Sequence, residues 1–295
     1  MMISRGIRDI GNVIEDARSR GLRVAFAPTM GNLHPGHLAL VARAREIAQF
    51  TVVSIFVNPF QFGAGEDYGI YPRTLDDDIA KLEEAGADFL FIPEAIDLYP
   101  KGLDSITRVE VPGIDKILCG ASRPTFFRGV TTVVSMLFHL VRPDCAVFGE
   151  KDYQQLVIIE RMVSDLKMPI RIIPVPTLRE SDGLAMSSRN GYLNREERRL
   201  ASTLYGALCE ASASLTAGDT DRDAIRAKGL ETLAALGFRP DYFEIRRAAD
   251  LAIPGQRDPG EAGAHEEEDR NLRILAAAWL GKTRLIDNIA VKIPR

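Results

Sequence analysis

Histidine, cysteine and tryptophan are scarce in this chain of 295 residues, which holds four, three and one of them respectively. Cys119, Cys145 and Cys209 lie far apart and form no CxxC pair, which excludes a disulfide framework and a cysteine-built zinc site and points to a reducing compartment. No uninterrupted apolar run reaches the length of a membrane span, and "MMISRGIRDI" lacks the basic and then apolar regions of a secretory leader. Lysine and arginine total 37 against 41 aspartates and glutamates, so the broad basic field of a nucleic-acid binder is missing. The common phosphate devices are missing as well, with no Walker A sequence and no GxGxxG behind the first strand, and the lack of a GxSxG elbow lowers hydrolase readings. The expectation is a cytoplasmic protein that works on small molecules, with neither nucleic acid nor membrane as partner.

What is present is an alternation of short β-branched runs with amphipathic helical stretches. "LRVAFAPT", "FTVVSIFVN", "DFLFIP", "CAVFGE" and "IRIIPVPT" read as strands, and the segments between them carry apolar residues at helical spacing. This pattern predicts an α/β architecture with an open, doubly wound parallel sheet over 1–176. Beyond Pro176 the character changes to long helical segments followed by two strands, "DYFEIRRAA" and "NLRILAAAWLG", which predicts a smaller α+β domain over 177–295. The Gly-, Pro- and Glu-rich "IPGQRDPGEAGAHEEEDR", which carries His265, reads as a mobile surface loop.

Ligands of such sheets lie outside the carboxyl ends of the strands. "PTMGNLHPGH", "VNPFQFG" and "GEKDYQQ" each begin where a strand ends. At the first, His34 and His37 flank the start of a helix whose unpaired backbone N–H groups and dipole form an anion site, and both rings are candidate donors to a phosphoryl oxygen. The same spacing also fits a loop residue and an ordinary first-turn side chain. Asn58 and Gln61 are candidate ligands for hydroxyl and carboxylate groups, although the cluster equally fits an aromatic strand end. Lys151 is placed to reach a phosphate or to stand in solvent, and Ser187, Ser188 and Arg189 in "AMSSRN" suit a triphosphate or a plain linker. Physics alone reaches a nucleotide-handling α/β enzyme.

The words themselves carry more than their spacing. "PTMGNLHPGHLALV", "SIFVNPFQFG", "YPRTLDDD", "FRGVTTVV", "VFGEKDYQQL", "LAMSSRN" and "TRLIDNI" resemble, in order and separation, the pantoate–β-alanine ligases over almost the whole chain. His34-Pro35-Gly36-His37 is similar to the HxGH signature of the wider nucleotidyltransferase superfamily, and "AMSSRN" to its mobile second signature. The resemblance implies a Rossmann-like doubly wound parallel sheet with a smaller C-terminal α+β domain, a homodimer, and ATP with Mg as a substrate complex. It implies no resident metal and no tightly bound organic cofactor.

The implied reaction has two steps. (R)-Pantoate carboxylate attacks the α-phosphate of ATP and releases pyrophosphate; the amine of β-alanine then attacks the pantoyl adenylate, giving pantothenate and AMP. By resemblance His34, His37 and Lys151 are catalytic. Met30, Gly149, Asp152, Leu178, Met186, Ser187, Ser188 and Arg189 join them in binding ATP, while Gln61, Gln155, Asn58, Tyr71, Val133 and Val134 bind pantoate. Phe126 stands where the family often has histidine, and the segment around His265 is longer than the resemblance leads one to expect. Cys119, Cys145, His139 and His265 are expected to be structural. The competing readings are a nucleotidyltransferase acting on another small acceptor and a nucleotide sensor without turnover.

Overall fold

The computed structural model describes residues 1–63, 65–256 and 267–294. The chain divides into two compact units, one of residues 1–150 and 158–177 and one of residues 151–157 and 178–295. His265 lies outside the described residues.

In chain order the first unit holds β1 (Met2–Ser4), α1 (Ile7–Ser19), β2 (Val24–Thr29), α2 (Pro35–Ile47), β3 (Phe50–Ile55), α3 (Leu75–Glu84) and β4 (Phe89–Phe91). It continues through α4 (Ala95–Leu98), α5 (Cys119–Ser122), α6 (Phe126–Val141), β5 (Cys145–Gly149), part of α7 (Tyr153–Asp165) and β6 (Arg171–Val175). Among the described residues six strands form one parallel sheet in the order β1-β4-β3-β2-β5-β6, the Rossmann-like arrangement. Its central strands are apolar throughout because helices cover both faces; every residue of β3, "FTVVSI", is buried. The strand order reverses between β2 and β5, which pair through Ala25 with Cys145 and Phe26 with Ala146. A sheet of this kind opens its ligand crevice at that reversal, so the segments leaving β2 and β5 are where chemistry is expected.

The second unit holds α8 (Arg195–Ala201), α9 (Thr203–Thr216), α10 (Arg222–Ala235), β7 (Arg239–Arg247), β8 (Asn271–Leu280) and β9 (Thr283–Lys292). Its three described strands form an antiparallel sheet, and Leu204, Leu208 and Leu233 from the helices pack with Phe243, Ile274 and Ala276 from the strands. Two strands differ from the sequence expectation. β1 is a three-residue edge strand with Met2 and Ile3 exposed, too short to show a period. β9 is a third C-terminal strand, and the buried Asp287 and Asn288 break the apolar alternation that would have announced it. Among the described residues no helix is long and apolar enough to cross a membrane.

Candidate active site

The turn from β2 into α2 is held by its own backbone and by α3. Gly31 adopts φ +81°, and a β-carbon there would lie 3.0 Å from Ile55 Cγ2 and 3.1 Å from Asp78 Oδ2, so only glycine fits without strain. Asp78, itself buried, accepts the backbone N–H groups of Asn32 at 2.8 Å and Leu33 at 2.7 Å, while Lys81 donates to Leu33 O at 2.8 Å. The loop is thereby fixed before the histidines begin.

His34 is the N-cap of α2 and Pro35 follows at its first position. Nδ1 of His34 accepts the N–H of Gly36 at 3.1 Å, and Nδ1 of His37 accepts the N–H of His34 at 3.3 Å. The two rings pack against each other at a tilt of 37°, with centroids 4.0 Å apart. A ring nitrogen that accepts an N–H carries no proton, and in a neutral imidazole the proton is then on Nε2. This corrects one expectation. The first N–H groups of α2 are not unpaired: Gly36 is capped by the His34 ring, and His37 and Leu38 donate to His34 O at 2.8 and 3.2 Å. The capping box and the His34 carbonyl satisfy them, so any anion at this helix start would meet the helix dipole and side chains rather than unpaired backbone N–H groups.

After β3, Asn58 caps the short turn Pro59–Gln61. Its amide makes four hydrogen bonds: Nδ2 donates to Gln61 Oε1 and to Gly129 O, both at 3.1 Å, and Oδ1 accepts from Phe60 N at 3.2 Å and from Tyr99 Oη at 2.7 Å. Gln61 Nε2 in turn lies 2.9 Å from Met30 Sδ, so Met30, Asn58 and Gln61 form one connected group. α6 presses on this turn at Gly129, where a β-carbon would stand 2.4 Å from Phe60 O. Val133 and Val134 are buried further along α6, and Tyr71 is buried with its ring centroid 6.0 Å from that of Phe62. Gly149 ends β5 with space beside it: the nearest atom to a β-carbon there would be Leu40 Cδ2, 4.0 Å away.

The remaining candidates lie in the second unit. Lys151 Nζ stands 3.9 Å from Asp152 Oδ2, and its backbone carbonyl accepts Nδ2 of the buried Asn288 at 3.0 Å. Gln155 is half-buried on the first turn of α7. Leu178 O accepts the N–H of Met186 at 3.0 Å, and Arg179 bridges with Ala185, closing a tight loop between them. Ser187 caps the turn Ser188–Tyr192 by accepting Arg189 N at 3.3 Å.

A family model described as Pantoate-beta-alanine ligase matches residues 2–290. The chain belongs to the pantoate–β-alanine ligase family. The pantothenate synthetase of Azotobacter vinelandii is 51% identical over 295 residues, covering 99% of this chain and 100% of the relative. That of Pseudomonas fluorescens is 52% identical over 285 residues, covering 96% of each. Among solved structures, pantothenate synthetase from Thermus thermophilus superposes with a TM-score of 0.87 at 43% identity and full coverage of both chains. Pantoate-beta-alanine ligase from Francisella tularensis, solved in complex with beta-gamma ATP and beta-alanine, gives 0.79 at 32% identity, covering 98% of this chain and 97% of that one.

Within the ligase fold, Phe126 packs against the Arg123 guanidinium, whose carbon lies 3.7 Å from the ring centroid, and against Phe127 at 4.8 Å. Arg123 also binds Glu66 through Nε at 2.6 Å and Nη2 at 2.5 Å, so the ring forms one wall of an ion pair. Cys119 and Cys145 are buried, and His139 lies on α6 with Nδ1 2.7 Å from Ser135 O. Several residues that build these surroundings received no role from sequence. Asp78 and Lys81 fix the first loop, while Asp287 and Asn288 hold Arg179 and Lys151. Their signal was present in "YPRTLDDD" and "TRLIDNI", words whose chemistry shows only when the side chains are followed to distant backbone.

Proposed function

We propose that this ligase joins (R)-pantoate to β-alanine with cleavage of ATP to AMP and pyrophosphate, through pantoyl adenylate. The observation that carries the reading is the paired capping of His34 and His37, which ties Nδ1 of each ring to the start of α2 and sets Nε2 on the opposite edge of the ring. Two neutral donors backed by a helix dipole suit a phosphoryl group that gains charge in the transition state. Pantoate carboxylate is already ionised at neutral pH, so adenylation asks for alignment and charge neutralisation rather than a general base.

The reading assigns Gln61, Asn58, Tyr71, Val133, Val134 and Gln155 to pantoate and Met30 to the surroundings of the reacting groups. Gln61 would bind oxygen directly. Asn58, whose amide is saturated by the protein, would act by fixing Gln61. Lys151, Asp152, Gly149, Leu178, Met186, Ser187, Ser188 and Arg189 are assigned to ATP, with Lys151 and Arg189 offsetting repulsion between carboxylate and phosphates. Mg enters with ATP as part of the substrate. The reading includes the two domains 1–176 and 177–295, a homodimer and a cytoplasmic location.

The test follows pyrophosphate and AMP after mixing the protein with Mg-ATP and pantoate. One stoichiometric burst of pyrophosphate without β-alanine, becoming continuous turnover with it, is the expected result. ATP binding with no pyrophosphate in either case overturns the reading.

A further inference from the structure

The Asn58 amide is oriented beyond ambiguity by partners whose roles are fixed. Phe60 N is a backbone donor, so the atom facing it must be Oδ1; Gly129 O is a backbone acceptor, so the atom facing it must be Nδ2. Two consequences follow. Tyr99 Oη, 2.7 Å from Oδ1, must donate its proton there, and Gln61 Oε1, 3.1 Å from Nδ2, must accept. The Gln61 carboxamide is then turned with Nε2 on its far side, 2.9 Å from Met30 Sδ.

We propose that Tyr99 is a positioning residue for pantoate: through Asn58 it holds the Gln61 carboxamide so that Nε2, with one N–H on Met30 Sδ, presents its second N–H to the substrate oxygens. This rests on the assignment of Gln61 to pantoate. The selection it imposes is for an acceptor, a hydroxyl oxygen or a carboxylate, at that point of the ligand. A substrate analogue presenting only a donor there would meet the wrong end of the amide. Tyr99 suits the task because it is buried, its ring packed near Phe56 and Phe60 with centroids 6.2 and 6.3 Å away. Burial also pushes its phenol pKa well above the ordinary value, which favours the protonated hydroxyl. The backbone partners of Asn58 give the relay one polarity, with the Tyr99 hydroxyl as donor.

The experiment measures pantoate and ATP dissociation constants by calorimetry on the full chain, comparing the unsubstituted protein with Tyr99→Phe, Gln61→Ala and the double variant. Tyr99→Phe removes only the donor oxygen. The expected result is pantoate affinity weakened about five- to tenfold, the scale of one buried hydrogen bond, with ATP affinity unchanged. In the Gln61→Ala background the same change should have no further effect, because there is no carboxamide left to aim. Pantoate affinity unchanged by Tyr99→Phe, or weakened equally with and without Gln61, overturns the proposal while leaving the ligase reading intact. Failure of the unsubstituted protein to bind pantoate overturns both. Should Tyr99→Phe not fold, the side-chain amide protons of Gln61 in the unsubstituted protein decide by NMR: one orientation with slow exchange is expected, and averaging between two orientations overturns the proposal.

Discussion

The backbone N–H of His34 donates to Nδ1 of His37 across 3.3 Å, so the second histidine of the pair caps the helix that the first one starts. Each ring therefore has two tasks on its two nitrogens, structure on Nδ1 and, in the proposed reaction, phosphate on Nε2. Substituting one ring tests both at once, and the magnitudes separate them.

His37→Ala is expected to lower the single-turnover rate of pyrophosphate release by about 10²- to 10³-fold, the scale of one lost oxyanion donor. Its cost in stability should be only about 1 kcal/mol, the worth of a cap. Rapid-quench measurement with Mg-ATP and pantoate checks the rate, and urea unfolding checks the stability. A near-normal burst would remove His37 from phosphate binding.

Asp78→Asn keeps the size of the side chain but replaces one accepting oxygen by an NH2 group. Both carboxylate oxygens already receive backbone N–H groups, from Asn32 on Oδ2 and Leu33 on Oδ1, so one donor would then face another. The expected loss is about 2–3 kcal/mol of stability, because charged acceptors of backbone N–H groups are worth more than neutral ones. ATP affinity should fall with it as the histidine loop loosens. An unfolding midpoint equal to that of the unsubstituted chain would show that the loop holds its shape without this carboxylate.

Much of this is visible in the sequence at the level of period and motif. The apolar runs of β2, β3 and β5, alternating with amphipathic helical stretches, announce a buried parallel sheet. His34, Gln61 and Lys151 stand out through the family words they sit in, since taken alone each also fits an ordinary loop or surface residue. Asp78, Tyr99 and Asn288 do not stand out, since each acts on backbone or side chains 41 to 137 positions away. A period describes which face of an element is buried and says nothing about which distant carbonyl a side chain will meet. The capping by His34 and His37 was hidden for a related reason: histidine is an uncommon cap, so the pair reads as chemistry before it reads as structure.

The segment that carries Ser187 to Arg189 has its own clamp. Arg198 donates to Asp182 Oδ2 at 2.6 Å and to Glu180 Oε2 at 2.5 Å, and Asn190 Nδ2 bonds Glu180 Oε1 at 3.2 Å. Hydrogen bonding from Arg198 holds the Asp182 carboxyl below the ordinary carboxylate range. A carboxyl whose pKa is lowered by folding contributes stability above its unfolded value, about 3.9, and loses it as pH falls through the folded value. Hydrogen exchange of the 185–189 amides, corrected for intrinsic rates, should therefore be flat from pH 8 to 5 and rise below about pH 4. Arg198→Ala should raise exchange at neutral pH by about two- to fivefold, the scale of a partly exposed pair, and abolish the acid rise. A flat profile for the unsubstituted protein down to pH 3 would mean that the clamp does not hold this segment.

Arg179 and Asp287 make the better-shielded ion pair of the second unit, with Nη1 to Oδ2 at 2.6 Å and Nη2 to Oδ1 at 3.0 Å. The Asp287 side chain is 3% exposed, and the pair is extended by Arg179 donating to Asn288 O at 3.3 Å and Asn288 N donating to Asp287 Oδ1 at 2.7 Å. Asn288 then holds the Lys151 carbonyl, so the aspartate sits at the root of a chain of bonds that ends at a residue assigned to ATP phosphate. Removing its charge leaves the guanidinium with the backbone carbonyls of Gly183 and Asn288 and with the Tyr205 ring, whose centroid lies 3.6 Å from its carbon, and these neutral partners are a poor replacement for a carboxylate. Asp287→Asn is expected to destabilise the protein by about 3 kcal/mol, the lower end for breaking a buried pair. KM for ATP should rise while pantoate affinity stays constant. Arg20→Ala, which breaks an ion pair with Asp16 whose side chains are 62% and 67% exposed, should change neither quantity measurably. If Asp287→Asn lowered stability but left KM for ATP untouched, the aspartate would belong to the core of the second unit alone, and the link through Asn288 to Lys151 would carry no functional weight.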